Sequence, residues 1–115
     1  MFARKVAARL KPNALPEFTN VMEREILPWL RKQEGFVDLI ILAMHGSREV
    51  ATISFWNHES DAEAWAAASF PEAVGILGKL LDGGPYVKTF DVVSSTRHEA
   101  AAIPQTEAEQ LLQAN

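Results

Sequence analysis

The chain has 115 residues, 48% of them hydrophobic, and a net charge of −4, which suits one globular domain with its own core. The acidic balance argues against a protein that holds nucleic-acid phosphates, and no apolar run is long enough to cross a bilayer. The absence of cysteine excludes disulfides, thiol nucleophiles and thiolate metal sites. The basic N-terminal segment is followed by no apolar stretch with a cleavage site, so we expect no signal peptide and a cytoplasmic protein.

Residues 2–10 alternate as a strand with one apolar face, from which only Arg4 departs. A break at residues 11–13 follows, where Asn13 is a candidate N-cap for a helix. That helix carries one apolar stripe at spacings of three and four: Leu15, Phe18, Met22, Ile26 and Trp29. Pro28 lies late in the stripe and predicts a kink or a separate last turn.

Residues 36–43 form a strand that is apolar on both faces, interrupted only by Asp38. One parity carries Phe36, Ile40 and Leu42, and the other carries the remaining apolar residues of the segment. An antiparallel strand with one wet face should alternate apolar and polar residues, so we expect this strand to be covered on both sides. Helices can cover one face of the sheet, and the other face then needs a second subunit or a ligand.

A tight turn leads to a second strand at residues 49–56, and Ser60 with Glu63 predicts a capping box at the start of the next helix. This helix is expected to break or bend at Phe70-Pro71 before a second helical segment. Residues 86–95 predict a fourth strand. From Thr96 onward the chain forms a tail, with a possible short helix at residues 106–113.

The order β-α-β-β-α-β predicts a ferredoxin-like α+β fold, with a four-stranded antiparallel sheet and both helices on one face. The other face of the sheet would carry an apolar patch larger than monomers usually expose. Two sheets packed face to face would bury both patches. We therefore expect a homodimer.

Two segments resemble the antibiotic biosynthesis monooxygenase (ABM) group of dimeric α/β barrels: ILPWLRKQEGF at residues 26–36 and SFWNHESDAEAW at residues 54–65. The resemblance spans about residues 2–95, so we divide the chain into an ABM-like domain at residues 1–95 and a tail at residues 96–115. It implies oxidation of a polycyclic phenol to a quinone by O₂, with no metal or flavin cofactor. It also implies a pocket at Trp56 and at Trp65 on the following helix.

The candidate ligand pocket is aromatic, because Trp56 and Trp65 can both line a space between helix and sheet and hold a flat hydrophobic molecule. Phe70 and Trp29 extend its wall. The candidate catalytic donors are Trp65 together with Asn57 and Arg4. His58 is a candidate proton shuttle beside Trp56.

Each of these residues also has a structural explanation. The three Trp side chains can be core packing, and Asn57 can turn the chain after a strand. Arg4 points toward an apolar face and needs a partner, for which an ion pair with Asp38 or Asp91 is the favoured account and a ligand anion the alternative. The three histidines are too far apart in the predicted elements to share a metal ion.

Two other functions remain open. One is a dimeric module without catalytic activity, which binds a small hydrophobic molecule or only assembles; its cavity should be filled by side chains, whereas an enzyme needs polar groups near the Trp pair. The other is heme binding. Heme-degrading relatives of the ABM group place a His ligand near Val74 or Gly75, and this chain has none there.

Overall fold

The computed structural model describes residues 1–97, which form one sheet with helices packed on one of its faces. The four strands are β1 (Phe2–Arg9), β2 (Phe36–Ala43), β3 (Glu49–Trp56) and β4 (Tyr86–Asp91). The helices are α1 (Leu15–Val21), α2 (Leu27–Arg31), α3 (Glu59–Ala68) and α4 (Phe70–Leu77). A π-helical turn (Met22–Ile26) joins α1 to α2, and a 3₁₀ turn (Gly78–Leu80) follows α4.

The strands lie in the order β2-β3-β1-β4, and each neighbouring pair is antiparallel. Placing β1 between β3 and β4 is the arrangement expected of a ferredoxin-like α+β fold, so the predicted fold class is confirmed. The register pairs Phe2 with Trp56 on β3 and with Asp91 on β4. Directly paired residues share a face of the sheet, and this register therefore decides which side chains meet the helices.

The first helical region is interrupted where Pro28 predicts it. Proline has no N–H to donate to the carbonyl of residue 24, and the wider π-helical turn stands directly before the proline-containing start of α2. The N-cap prediction is wrong: α1 is capped by Ala14 without a side-chain hydrogen bond, and Asn13 instead adopts a left-handed conformation with φ of 62°. Asn tolerates that conformation, so it serves the preceding turn.

The predicted capping box is also wrong. Helix α3 begins at Glu59 with His58 as its N-cap, and no side chain bonds to the first-turn N–H groups there. Ser60 already lies inside the first turn, where it cannot act as a cap. The predicted break is present: Ser69 ends α3 and precedes α4, whose first turn contains Pro71.

Strand β2 contains a bulge between Phe36 and Asp38 that changes the expected faces. One extra residue on a strand reverses the alternation beyond it. Phe36 therefore lies on the helix-covered face beside Trp56, whereas Ile40 and Leu42 lie on the opposite face. The alternation alone had placed Phe36 together with Ile40 and Leu42.

The face of the sheet away from the helices, called the open face here, carries several exposed apolar side chains. The most exposed of those on its strands are Ile40 at 41%, Leu42 at 46%, Phe90 at 50% and Tyr86 at 68%. It is less uniformly apolar than the sequence predicts, because Lys5 on β1 lies directly opposite Lys88 on β4 on this same face.

Strand β4 ends at Asp91, four residues before the predicted end. The short helix predicted at residues 106–113 lies outside the described residues. None of the helices within residues 1–97 has the length and apolar character required to cross a bilayer.

Candidate functional site

A cavity of about 70 Å³ lies between the helices and the sheet. This is several times the roughly 10–15 Å³ needed to hold one water molecule. Its floor is formed by the helix-facing residues of β1, β2 and β3, and its walls by the helices and the chain that follows α4. Its apolar lining includes Phe18, Met22, Ile26, Leu30, Leu39, Phe70, Ala73, Val74 and Leu77.

Four side chains with N–H or O–H donors join this lining: Arg4 from β1, Thr52 and Ser54 from β3, and Trp65 from α3. Arg4 and Ser54 are direct partners in the β1–β3 register, which brings the guanidinium stem and the hydroxyl side by side. The polar part of the cavity therefore lies over the sheet, near the middle of β1.

Arg4 is 6% exposed, and its guanidinium carbon lies 4.1 Å from the centre of the Phe70 ring. Burial lowers the pKa of the Arg4 guanidinium because protein atoms replace water around the charge. Arginine still remains protonated at neutral pH, since its ordinary pKa is so high. Cation–π contacts of this kind contribute about 0.5–2 kcal/mol, depending on desolvation.

The ion pair favoured for Arg4 is wrong for the described part of the chain, where no carboxylate lies within 4.0 Å of its guanidinium. Asp38 pairs with Phe55 across β2 and β3 and so lies on the open face, on the other side of the sheet. Asp91 shares the helix-facing side but is exposed and lies opposite Phe2, at the N-terminal end of β1.

Trp56 does not line the cavity. It is completely buried, and its indole N–H donates a 2.9 Å hydrogen bond to Ser54 Oγ. The Ser54 hydroxyl in turn donates to the backbone carbonyl of Arg4 at 3.4 Å. The geometry supports the core-packing alternative for Trp56. The hydrogen bond from its indole also orients the Ser54 hydroxyl.

Trp65 is the aromatic side chain that reaches the cavity from α3, and it is 5% exposed. Its ring packs edge-on against Trp29 at 5.0 Å between centroids and tilted against Trp56 at 6.4 Å. Within residues 1–97 its indole N–H makes no hydrogen bond. Trp29 itself is half-buried and stands behind Trp65, outside the cavity wall.

The remaining two candidates do not reach the cavity. Asn57 is exposed, and its backbone N–H donates to Gly35 O at 2.8 Å. His58 has an exposed side chain, with Nδ1 3.3 Å from Asp61 Oδ2. The structure thus brings together Arg4, Trp65 and Phe70 of the seven candidates.

Sequence reasoning did not select Thr52 and Ser54 as site residues. A usable signal existed, because both alternate with Trp56 on one parity of β3 and so interrupt an otherwise buried face. What the sequence did not contain was the register that places Ser54 opposite Arg4.

Metal ligation offers no second site in residues 1–97, where no group of three or more His, Asp or Glu side chains could hold an ion.

Neither a family model nor a curated protein sequence matches the chain. Solved structures do match its fold. They include a monooxygenase from the gene ActVA-Orf6 of Streptomyces coelicolor in complex with nanaomycin D, at 17% identity and a TM-score of 0.71, covering 85% of this chain and 92% of that one.

Two further structures are similar. One is SnoaB, a cofactor-independent oxygenase from Streptomyces nogalater, at 17% identity and a TM-score of 0.68, covering 84% of this chain and 97% of that one. The other is NE2512 from Nitrosomonas europaea, a protein of unknown function, at 16% identity and a TM-score of 0.69, covering 83% and 91%. The chain has the fold of the ABM monooxygenases, and identities this low establish the fold alone.

Proposed function

We propose that this protein is a monooxygenase that oxidises a small aromatic or quinol-like metabolite with O₂ in the cavity between helices and sheet. The observation that carries the proposal is that Arg4, Ser54 and Trp65, three residues with donor groups, line one largely apolar cavity. The fold shared with two solved oxygenases supports it.

The reaction makes modest demands on the protein. A phenol and O₂ give a quinone and water: one oxygen atom enters the ring and the other leaves as water, so the ring is oxidised and O₂ is reduced. Negative charge shifts from the phenol oxygen to the dioxygen during the reaction. Fixed donors in a cavity with little water stabilise such charge more strongly than bulk solvent does. Arg4 and Trp65 are the donors that we assign to this task, and no metal or flavin is needed in the proposed reaction.

The cavity supports an enzyme over a module that only assembles. An assembly module should have this space filled by side chains, whereas here a cavity remains and polar groups face it. The heme alternative receives no such support, because Val74 lines the cavity without a ligating atom and Gly75 is exposed.

The size of the cavity bears on the substrate. Small-molecule sites usually occupy roughly 300–1,000 Å³, several times the space present here. Phe70 is half-buried and follows the helix break at Ser69, so it has neighbours on fewer sides than the core residues have. We propose that Phe70 moves when an aromatic ligand enters, and that one- and two-ring compounds are accepted before larger ones.

Trp65→Phe should lower turnover by about 10- to 100-fold, because it keeps a ring in the core but removes the N–H donor. Absorbance and oxygen uptake of the purified protein with phenols, anthrones and quinols, under air and under nitrogen, would measure this. Trp29→Phe is the matched control, since it alters an adjacent ring outside the cavity. Equal turnover in wild type and Trp65→Phe would contradict the role of the indole N–H.

We further propose that the protein is a homodimer joined through the open faces of two sheets. Its cytoplasmic location stays a prediction. The exposed apolar residues of this face support the dimer. Ile40→Lys should convert the dimer to monomer in sedimentation experiments, whereas Leu15→Lys should not, because Leu15 is equally exposed at 41% but lies on a helix. A wild-type monomer would rule the dimer out.

A further inference from the structure

Among residues 1–97, the cavity is lined by one fixed positive charge and by no side-chain base. Its donors within the described part of the chain are Arg4, Thr52, Ser54 and Trp65, and no carboxylate, histidine, lysine or tyrosine lines it. Hydroxyl and indole groups remain protonated at any pH at which proteins fold. The cavity can therefore hold an anion, but its own side chains cannot create one by removing a proton.

Within the described part of the chain, Arg4 has no carboxylate partner of the kind that a buried cation normally has. The Phe70 ring covers one face of the guanidinium at 4.1 Å, but no carboxylate of residues 1–97 lies within 4.0 Å. Burying a charge without a counter-ion is costly, and the cation–π contact offsets only part of that cost. An anionic ligand would supply the missing negative charge and accept hydrogen bonds from the planar array of guanidinium N–H groups.

The titratable groups on the elements packed around Arg4 lie outside the cavity. Asp91 on β4 shares the helix-facing side of the sheet but is exposed and lies opposite Phe2, the first residue of β1, and Glu72 on α4 is exposed to solvent. Asp61 on α3 contacts His58, and Lys5 and Lys88 lie on the open face. None of these groups lines the cavity. A pH dependence of binding should therefore come from the ligand.

We propose that Arg4 is the anion receptor of this cavity and that the ligand binds as a preformed aromatic monoanion, a phenolate of an acidic phenol that has already lost its proton to solvent. This inference rests on the proposed function only in treating the cavity as the ligand site. It narrows the substrate class to phenols that ionise readily, and it makes Arg4 the residue that distinguishes the ionised form from the neutral form.

The test measures ligand binding in the absence of oxygen, and the quenching of Trp fluorescence reports the binding. The probes are two naphthols that carry substituents of similar size, one strongly electron-withdrawing so that its pKa is lower and one not, and naphthalene is the neutral control. Affinity should fall about tenfold for each pH unit below the pKa of the naphthol used, so the midpoint of the profile should differ between the two probes. Naphthalene should bind weakly at every pH.

Arg4→Met should lower the affinity for the ionised naphthol by about 10- to 100-fold and flatten the profile, because it removes the charge and keeps an unbranched chain. Arg4→Lys should retain the preference for the anion. A midpoint that is the same for both naphthols, or naphthalene binding as tightly as the anion, would overturn the proposal. The wild-type comparison decides the question even where Arg4→Met does not fold.

The two proposals can fail separately. Anion-selective binding without any oxygen uptake would support Arg4 as the anion receptor and contradict the proposed oxygenase activity. Turnover with a pH profile that does not depend on the pKa of the phenol would support the oxygenase activity and contradict binding as a preformed anion.

Discussion

Gly35→Ala should lower the free energy of unfolding by about 2–5 kcal/mol. Gly35 has a φ of +79°, which costs about 1–2 kcal/mol for a residue with a Cβ. Its Cα also faces the Asp61 side chain so closely that a Cβ would overlap the carboxylate and lie 2.7 Å from Asp61 Cβ. Relieving such an overlap adds about 1–3 kcal/mol.

Gly46→Ala is the matched control, because Gly46 has a similar φ of +73° but nothing within 4 Å of an added Cβ. Urea denaturation of both variants would isolate the cost of the overlap. Adding Asp61→Ala to Gly35→Ala should restore part of the loss. Equal destabilisation of the two glycine variants would show that α3 does not pack against the chain before β2 as described.

Trp56→Ala should cost about 3–5 kcal/mol, the range for removing a large aromatic side chain from a core. Trp56 is fully buried and contacts both Phe36 and Trp65. The substitution also removes the donor to Ser54 Oγ, which leaves that hydroxyl with one fewer partner in a buried position.

Trp29→Ala is the comparison for this prediction, since Trp29 also contacts the Trp65 ring but is only half-buried. It should cost less than half as much when both variants are unfolded in urea. A loss for Trp29→Ala as large as that for Trp56→Ala would mean that the helix side of the cluster is more deeply packed than the structure shows.

The fold could be predicted from the sequence because its signals are periodic and local. The stripe from Leu15 to Trp29 and the alternation along β1 survive small errors in element boundaries. The bulge before Asp38 could not be predicted, because no residue type at that position requires an extra residue, and it moved Phe36 to the other face. The cap of α3 was misplaced by two residues for a similar reason, since Ser60 and Glu63 fit a capping box wherever the helix begins.

The site was predictable only in part, because its geometry depends on strand register. The departure of Arg4 from the apolar pattern of β1 showed that a charge would face the helices. Whether this charge met an acid, a ring or a ligand depended on which strands lay beside β1. The register placed Ser54 and Thr89 there, and Phe70 reached it from the start of α4. Asn57 and His58 are near Trp56 in sequence, but the turn into α3 carries both to the surface.

The convergence of Arg4, Trp65 and Phe70 links the two proposals. The aromatic walls suit a flat ligand, and the buried guanidinium suits its charged oxygen. An ionised phenol is also the form that gives up electrons to O₂ most readily. The feature that selects the ligand therefore also selects its reactive form.

The most direct measurement is turnover of an acidic phenol under isotopically heavy oxygen gas, with mass spectrometry of the product and an assay for hydrogen peroxide. A monooxygenase predicts a quinone that carries one heavy oxygen atom per molecule, no peroxide, and a rate that falls in Trp65→Phe. Unlabelled quinone with peroxide would contradict it, because O₂ would then have served only as an electron acceptor.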